Sequence, residues 1–109
     1  MTKAPLLQGT LELIVLQLLK AEPTNGYDLS LRIQAVSRDV LQVNAGSLYP
    51  ALYRLKQRRC VSVSWGRSEL GRRIKLYELT TDGRAQLKAL TAQWGRCVVT
   101  MSKVLEATR

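Results

Sequence analysis

Two periodicities alternate along this 109-residue chain, and they predict a mainly α fold with one small β-hairpin, of α+β class. Three observations carry that expectation. Apolar residues recur at helical spacing through about the first 58 positions, they switch to a period of two near Val61, and they return to helical spacing after Thr80.

The first helix is expected from about Gln8 to Ala21, where Leu11, Ile14, Val15 and Leu18 form an amphipathic stripe. Leu13, Leu16 and Leu19 extend the apolar surface around most of the circumference. Such a helix is buried on more than one side, and a second subunit is expected to cover part of it. Pro23 ends it. Thr24-Asn25-Gly26 reads as a turn, with Asn25 and Asp28 spaced as a capping box. A second helix follows, presenting Leu29, Ile33 and Val36 on one face and closing near Ser37. Val40 to Val43 suggests a short extended segment.

Asn44 is a good N-cap for a third helix reaching about Arg58, with Leu48, Leu52 and Leu55 as its buried stripe. Pro50 leaves the cap open between two positions. With Asn44 as cap, Pro50 falls in the second turn and removes a backbone bond; with Ser47 as cap, it falls in the first turn at little cost. Val61, Val63 and Trp65 then alternate with Ser62 and Ser64, the signature of a half-buried strand. Ile74 to Leu79 is a second strand, apolar on both faces, so its inner face stays unassigned. The loop between them, Gly66 to Arg73, holds two glycines and three arginines. Three helices followed by two strands and a basic loop make a winged helix-turn-helix.

Thr80 or Thr81 caps a last helix running to about Ala107. Leu87, Leu90, Trp94, Cys97, Met101 and Val104 step by 3, 4, 3, 4, 3, an unbroken heptad seam that Val98 and Leu105 widen. A helix of about 27 residues is about 40 Å long, too long to fold back over so small a domain. These residues, with Leu11, are the expected dimer interface. Gly95 costs about 1 kcal/mol relative to alanine inside a helix. The organisation is thus residues 1–80 as the winged unit and residues 81–109 as a dimerisation helix, in one compact body.

Composition bounds the chemistry. The formal net charge is +9, with 17 Lys and Arg against 8 Asp and Glu, which points to polyanionic partners. Arg54, Lys56, Arg58, Arg59, Arg67, Arg72, Arg73 and Lys75 fall in one stretch that holds a single acid, Glu69. Histidine is absent, and Cys60 and Cys97 stand far apart without companions at zinc spacing. No metal, cofactor or enzymatic activity is expected. The segment from Gly66 to Gly71 does not match a phosphate loop. Cys60, opening an apolar strand, reads as a small buried hydrophobe. No apolar run reaches the length of a membrane span, and Met1 to Pro5 lacks the order of a signal peptide. A cytoplasmic location is expected, away from any membrane.

The third helix turns Gly46, Pro50, Tyr53, Arg54 and Gln57 outward, with Ser47 and Tyr49 at the margins. Reading the major groove requires hydrogen-bonding and apolar groups on one face near a helix N-terminus. Ser47 and Tyr49 suit phosphate or base edges, Pro50 and Tyr53 suit thymine methyls, and Arg54 suits guanine or phosphate. Tyr49 also fits plain core packing. Arg67, Arg72, Arg73 and Lys75 are expected on phosphate or in a minor groove.

Several segments then match a known pattern in order. They are Gly9-Thr10-Leu11, Asn25-Gly26-Tyr27, the run from Gly46 through Leu48-Tyr49-Pro50 to Leu55, Trp65-Gly66, Arg72-Arg73, Tyr77-Glu78-Leu79-Thr80 and Gly83. On these residues the chain resembles the PadR family of bacterial transcriptional regulators, over about residues 6–105 and in its type with a short C-terminal helix. The resemblance implies a homodimer built on the last and first helices and a two-fold symmetric double-stranded DNA operator. It further implies repression relieved by a small planar aromatic molecule. Trp94 matches a tryptophan that stacks on flat ligands in multidrug-sensing relatives, and equally suits interface packing. Where relatives often place a lysine and paired tyrosines, this chain reads Arg72-Arg73-Ile74-Lys75-Leu76-Tyr77. Two other classes compete: a basic RNA-binding protein and a winged-helix protein-interaction module. The third helix lacks the exposed aromatic platforms single-stranded RNA usually requires.

Overall fold

The computed structural model describes residues 9–108. In chain order its elements are α1 (Thr10–Ala21), α2 (Gly26–Val36), α3 (Ala45–Gln57), β1 (Val61–Arg67), β2 (Arg73–Leu79) and α4 (Thr81–Ala107). This is the expected α+β winged architecture. The expected helix start at Gln8 lies outside the described residues; within them, α1 begins at Thr10, behind Gly9.

Helix α1 is the centre of the core, in contact with α2, α3, α4 and β2. Leu11, Val15, Leu16, Leu18 and Leu19 are all buried by this one chain, and only Leu13 and Ile14 are left half-buried. Most of the apolar surface of α1 is therefore covered by its own chain, and Leu13 and Ile14 are the part left for any further surface. Leu11 and Leu87, both expected at a dimer seam, are also interior residues of the single chain.

The turn after α1 does more than reverse the chain. The Thr24 N–H donates to the Tyr77 carbonyl at 3.1 Å, and the Tyr77 N–H returns a bond to Thr24 at 3.0 Å. This isolated bridge ties the turn to the outer edge of β2. Asn25 then caps α2, its Oδ1 accepting from the Asp28 N–H at 2.8 Å while its Nδ2 donates to the Asp28 carboxylate at 2.9 Å. The box is reciprocal through side chains, where the usual form closes on the cap's backbone N–H. Leu29 and Ile33 are buried, but Val36 is exposed because the last turn of α2 runs past the core.

No strand forms at Val40 to Val43. Two successive left-handed residues, Arg38 and Asp39, turn the chain there, and no neighbouring strand offers ladder partners. Leu41 and Val43 instead pack against the core from an irregular link. Asn44 is the cap of α3, its side chain accepting from the Ser47 N–H at 2.9 Å. Pro50 thus lies in the second turn, without an N–H for the Gly46 carbonyl, and the helix runs on unbroken to Gln57. Its end is a Schellman motif: Arg59 N–H donates to Lys56, Cys60 N–H to Leu55, and Arg59 takes the left-handed conformation (φ 61°).

Strands β1 and β2 pair antiparallel, with Val61 opposite Leu79, Val63 opposite Tyr77, Trp65 opposite Lys75 and Arg67 opposite Arg73. This register assigns the inner face of β2: Tyr77 and Leu79 face the core beside Val61 and the half-buried Val63. The alternation fails at Trp65, which is 54% exposed although it shares that face. The hairpin has outrun the core by then.

Thr80 caps α4, its Oγ1 accepting from the Gly83 N–H at 2.9 Å and donating to the Arg59 carbonyl at 2.7 Å. The helix can cross the α3–β1 corner so closely only because residue 83 is glycine. A Cβ there would press on the Cys60 carbonyl oxygen and on Leu79. Beyond Leu87, buried, and Leu90, half-buried, every residue of α4 is exposed in the single chain. The molecule accordingly measures 56 × 34 × 22 Å, with a radius of gyration of 15.6 Å against about 13 Å for a compact 100-residue domain. An added Cβ at Gly95 would meet nothing within 4 Å, so no contact inside the chain demands that glycine.

Two substitutions test this packing by urea denaturation. Gly83→Ala is expected to cost about 1–3 kcal/mol, because backbone must move to admit the methyl group. Arg59→Gly is expected to gain about 1 kcal/mol by relieving the left-handed conformation. Unchanged midpoints in both would contradict the crossing and the cap as described.

Candidate nucleic-acid interface

Two exposed features suit a polyanion: the outer side of α3 and the tip of the wing that follows it in the chain. The buried stripe of α3 is Leu48, Ala51, Leu52 and Leu55. That stripe turns Gly46, Ser47, Tyr49, Pro50, Tyr53 and Gln57 outward, all exposed. The first-turn amides of Ala45 and Gly46 have no hydrogen-bond partner among the described residues. They lie at an exposed, dipole-positive helix end suited to an anion.

The α3 residues expected to contact DNA divide into three kinds. Ser47, Pro50 and Tyr53 stand free on the outer face, Tyr53 at 63% exposure. Tyr49 is half turned inward, its ring lying where a Cβ on Gly26 would be. Glycine at the start of α2 thus makes room for this ring. The Tyr77 hydroxyl behind it is pushed above the usual phenol range, first by burial and then by the neighbouring Tyr49.

Arg54 departs from its expected orientation. Its Nε and NH2 donate to Glu12 Oε1 at 3.0 and 2.6 Å, so the guanidinium turns back onto α1 rather than out toward a groove. The Glu12 side chain is 11% exposed and that of Arg54 48%. A carboxylate in the first turn of α1 also favours the helix dipole. The stripe read from sequence on α1 passes over Glu12. The available signal was its place beside Leu11 and Val15 on a buried face, where an acid needs a partner.

On the wing, Arg72 and Arg73 are exposed, as is Lys75. Arg67 donates to the Gly71 carbonyl at 3.0 Å across the turn. No carboxylate among the described residues pairs with any of these four cations. Trp65, which alternation puts on the apolar side of a half-buried strand, carries the Arg73 guanidinium over its ring at 4.1 Å and the Lys75 Nζ at 5.8 Å.

A second feature lies where α1 meets α4. Gly9, Thr10, Leu13, Leu90, Gln93, Trp94 and Cys97 line a mostly apolar groove of about 220 Å³. Past it, Trp94, Val98, Met101, Val104 and Leu105 form an exposed apolar stripe. Cys60 is buried, and burial raises its thiol above the usual range, with Arg58 opposing and Asp82 adding to the shift. Among the described residues no cluster of His, Cys, Asp or Glu is placed to hold a metal. None of the described helices is long and apolar enough to cross a membrane.

Comparison with known proteins agrees with this geometry. Residues 15–89 match the model of the transcriptional regulator PadR-like family. A PadR-like transcription factor from Bacteroides fragilis superposes with a TM-score of 0.73 at 33% identity, over 88% of this chain and 90% of that one. A PadR-like transcriptional regulator from Bacillus cereus gives 0.76 at 30%, over 90% and 93%. A transcriptional regulator from Clostridium thermocellum, at 24% identity, shares the fold with a TM-score of 0.82, over 88% and 93%.

The Glu12–Arg54 pair can be checked by stability. Glu12→Gln and Arg54→Met are each expected to cost about 1–2 kcal/mol, below the loss for a fully buried pair because Arg54 is half in solvent. The double variant should lose little more than either single one. Additive losses would mean the two side chains act separately.

Proposed function

This chain belongs to the PadR-like family of transcriptional regulators, and on that premise we propose that it represses transcription as a DNA-binding homodimer. One observation carries the reading: α3, with its solvent-facing outer side, packs against β1, and the hairpin that β1 opens bears wing cations that no carboxylate among the described residues neutralises. Ser47, Pro50 and Tyr53 face base edges in the major groove. The α3 N-terminus takes a phosphate, and Arg67, Arg72, Arg73 and Lys75 meet the flanking backbone. Tyr49 supports this face from its edge. Arg54 serves by fixing α3 to α1.

The dimer follows from the half of α4 that leaves its own domain. Trp94, Cys97, Val98, Met101, Val104 and Leu105 repeat as a heptad seam in water, and a second copy of α4 is the complementary surface. Pairing brings two grooves beside Trp94 toward the symmetry axis, where a small planar aromatic molecule stacks on the indoles. Such a ligand favours a spacing of the two α3 helices that no longer matches successive major grooves. A tenfold loss of operator occupancy requires about 1.4 kcal/mol of differential affinity.

Genome-wide footprinting is expected to yield a two-fold symmetric site, and an absence of any enriched palindrome would sink the repressor reading. Equal affinity for scrambled RNA would move the protein to the RNA-binding class. Val98→Asp should convert a dimer into monomers in sedimentation equilibrium. Titration of a Trp65→Phe protein with planar aromatics should quench Trp94; no quenching by any compound would leave a regulator without this pocket.

A further inference from the structure

The exposed indole on the wing has a role that core packing does not supply. In the β1–β2 register, Val61, Val63, Tyr77 and Leu79 share one face and cover the core. Trp65, Lys75, Arg67 and Arg73 continue that face beyond the core's edge. Arg67 stands directly across from Arg73, a like-charge pair that is unfavourable by itself. With no carboxylate among the described residues to offset it, this face is suited to an anion arriving from outside.

The protein holds two arginines in two different ways. Arg54 is held by Glu12, and the carboxylate neutralises its charge. Arg73 is held by the Trp65 ring, 4.1 Å from its centroid. A cation–π contact restricts the side chain's rotamers but leaves its charge and the outward N–H donors available.

Resting on the DNA-binding reading above, we propose that Trp65 is the positioning residue of the wing. Its indole holds the Arg73 guanidinium in place for the sugar–phosphate backbone of duplex DNA. Trp65 therefore raises affinity without bringing a charge of its own. Because a backbone contact is independent of sequence, it operates on any duplex.

The test measures binding of the full-length protein to a mixed-sequence DNA duplex across a salt series. Trp65→Ala is expected to weaken binding by about two- to fivefold, the worth of an exposed cation–π contact, with an unchanged salt slope. Arg73→Ala should weaken binding and reduce the slope by about one phosphate contact. Trp65→Phe, which keeps a weaker ring, should fall between Trp65→Ala and the parent. In an Arg73→Ala background, Trp65→Ala should cause almost no further loss. Parent-like binding by Trp65→Ala, or losses that multiply in the double variant, would overturn the assignment and leave the DNA-binding reading standing. A parent protein that fails to bind the duplex at low salt would overturn both.

Discussion

Helix α1 must be enclosed, and the rest of the molecule is arranged around that need. Five of its residues, Leu11, Val15, Leu16, Leu18 and Leu19, have almost no exposed surface, and they meet α2, α3, α4 and β2. Each such leucine contributes about 1.5–3 kcal/mol by leaving water, so no neighbouring element can be released cheaply. The same helix carries Glu12, which reaches α3 through Arg54, and Leu13, which lines the groove beside Trp94. Packing around α1 therefore connects α3 to the base of α4 through one rigid element. A repositioning of α4 against α1 has a direct physical route to α3.

Charge is distributed by a related logic. The chain has an excess of cations, and the structure separates those that hold the fold from those that face outward. Arg54 is neutralised against a buried acid, and Arg32 reaches the Leu18 carbonyl at 3.4 Å near the C-terminal end of α1. Arg72, Arg73 and Lys75 stay in solvent beyond the core, where their mutual repulsion is screened and their fields remain available to a polyanion. The wing can carry this concentration of positive charge because its base is pinned twice. The Thr24–Tyr77 bridge holds one side, and Thr80 bonded to the Arg59 carbonyl holds the other.

Much of this fold was legible from local pattern. Asn25, Asn44 and Thr80 are caps whose chemistry acts within three residues; Asn25 caps its helix as its spacing implied, while the structure chose Asn44 over Ser47 and Thr80 over Thr81. Leu48, Leu52 and Leu55 make a stripe that any helix must bury. Val40 to Val43 misled because apolar content alone does not separate a strand from a packed link, and a strand exists only where a partner strand lies alongside. Trp65 misled for a related reason. Alternation shows which face a residue shares, but not where along the strand the core ends.

What the sequence by itself determined is therefore the order and type of the helices and the hairpin, the cap of α2, the helical stripes and the excess of positive charge along the wing. Those properties arise from interactions between residues a few positions apart, and their signals survive in one dimension. The tertiary structure alone decided that α1 is enclosed by its own chain, that Leu11 and Leu87 are interior, that Arg54 answers Glu12 across 42 positions, and that Trp65 carries Arg73. Each depends on which side chains meet after the helices pack and the hairpin zips, and that is set by the geometry of the whole core. The mainly α chain with one small hairpin is a local consequence of sequence; the assignment of its charges to structure or to solvent is a consequence of packing.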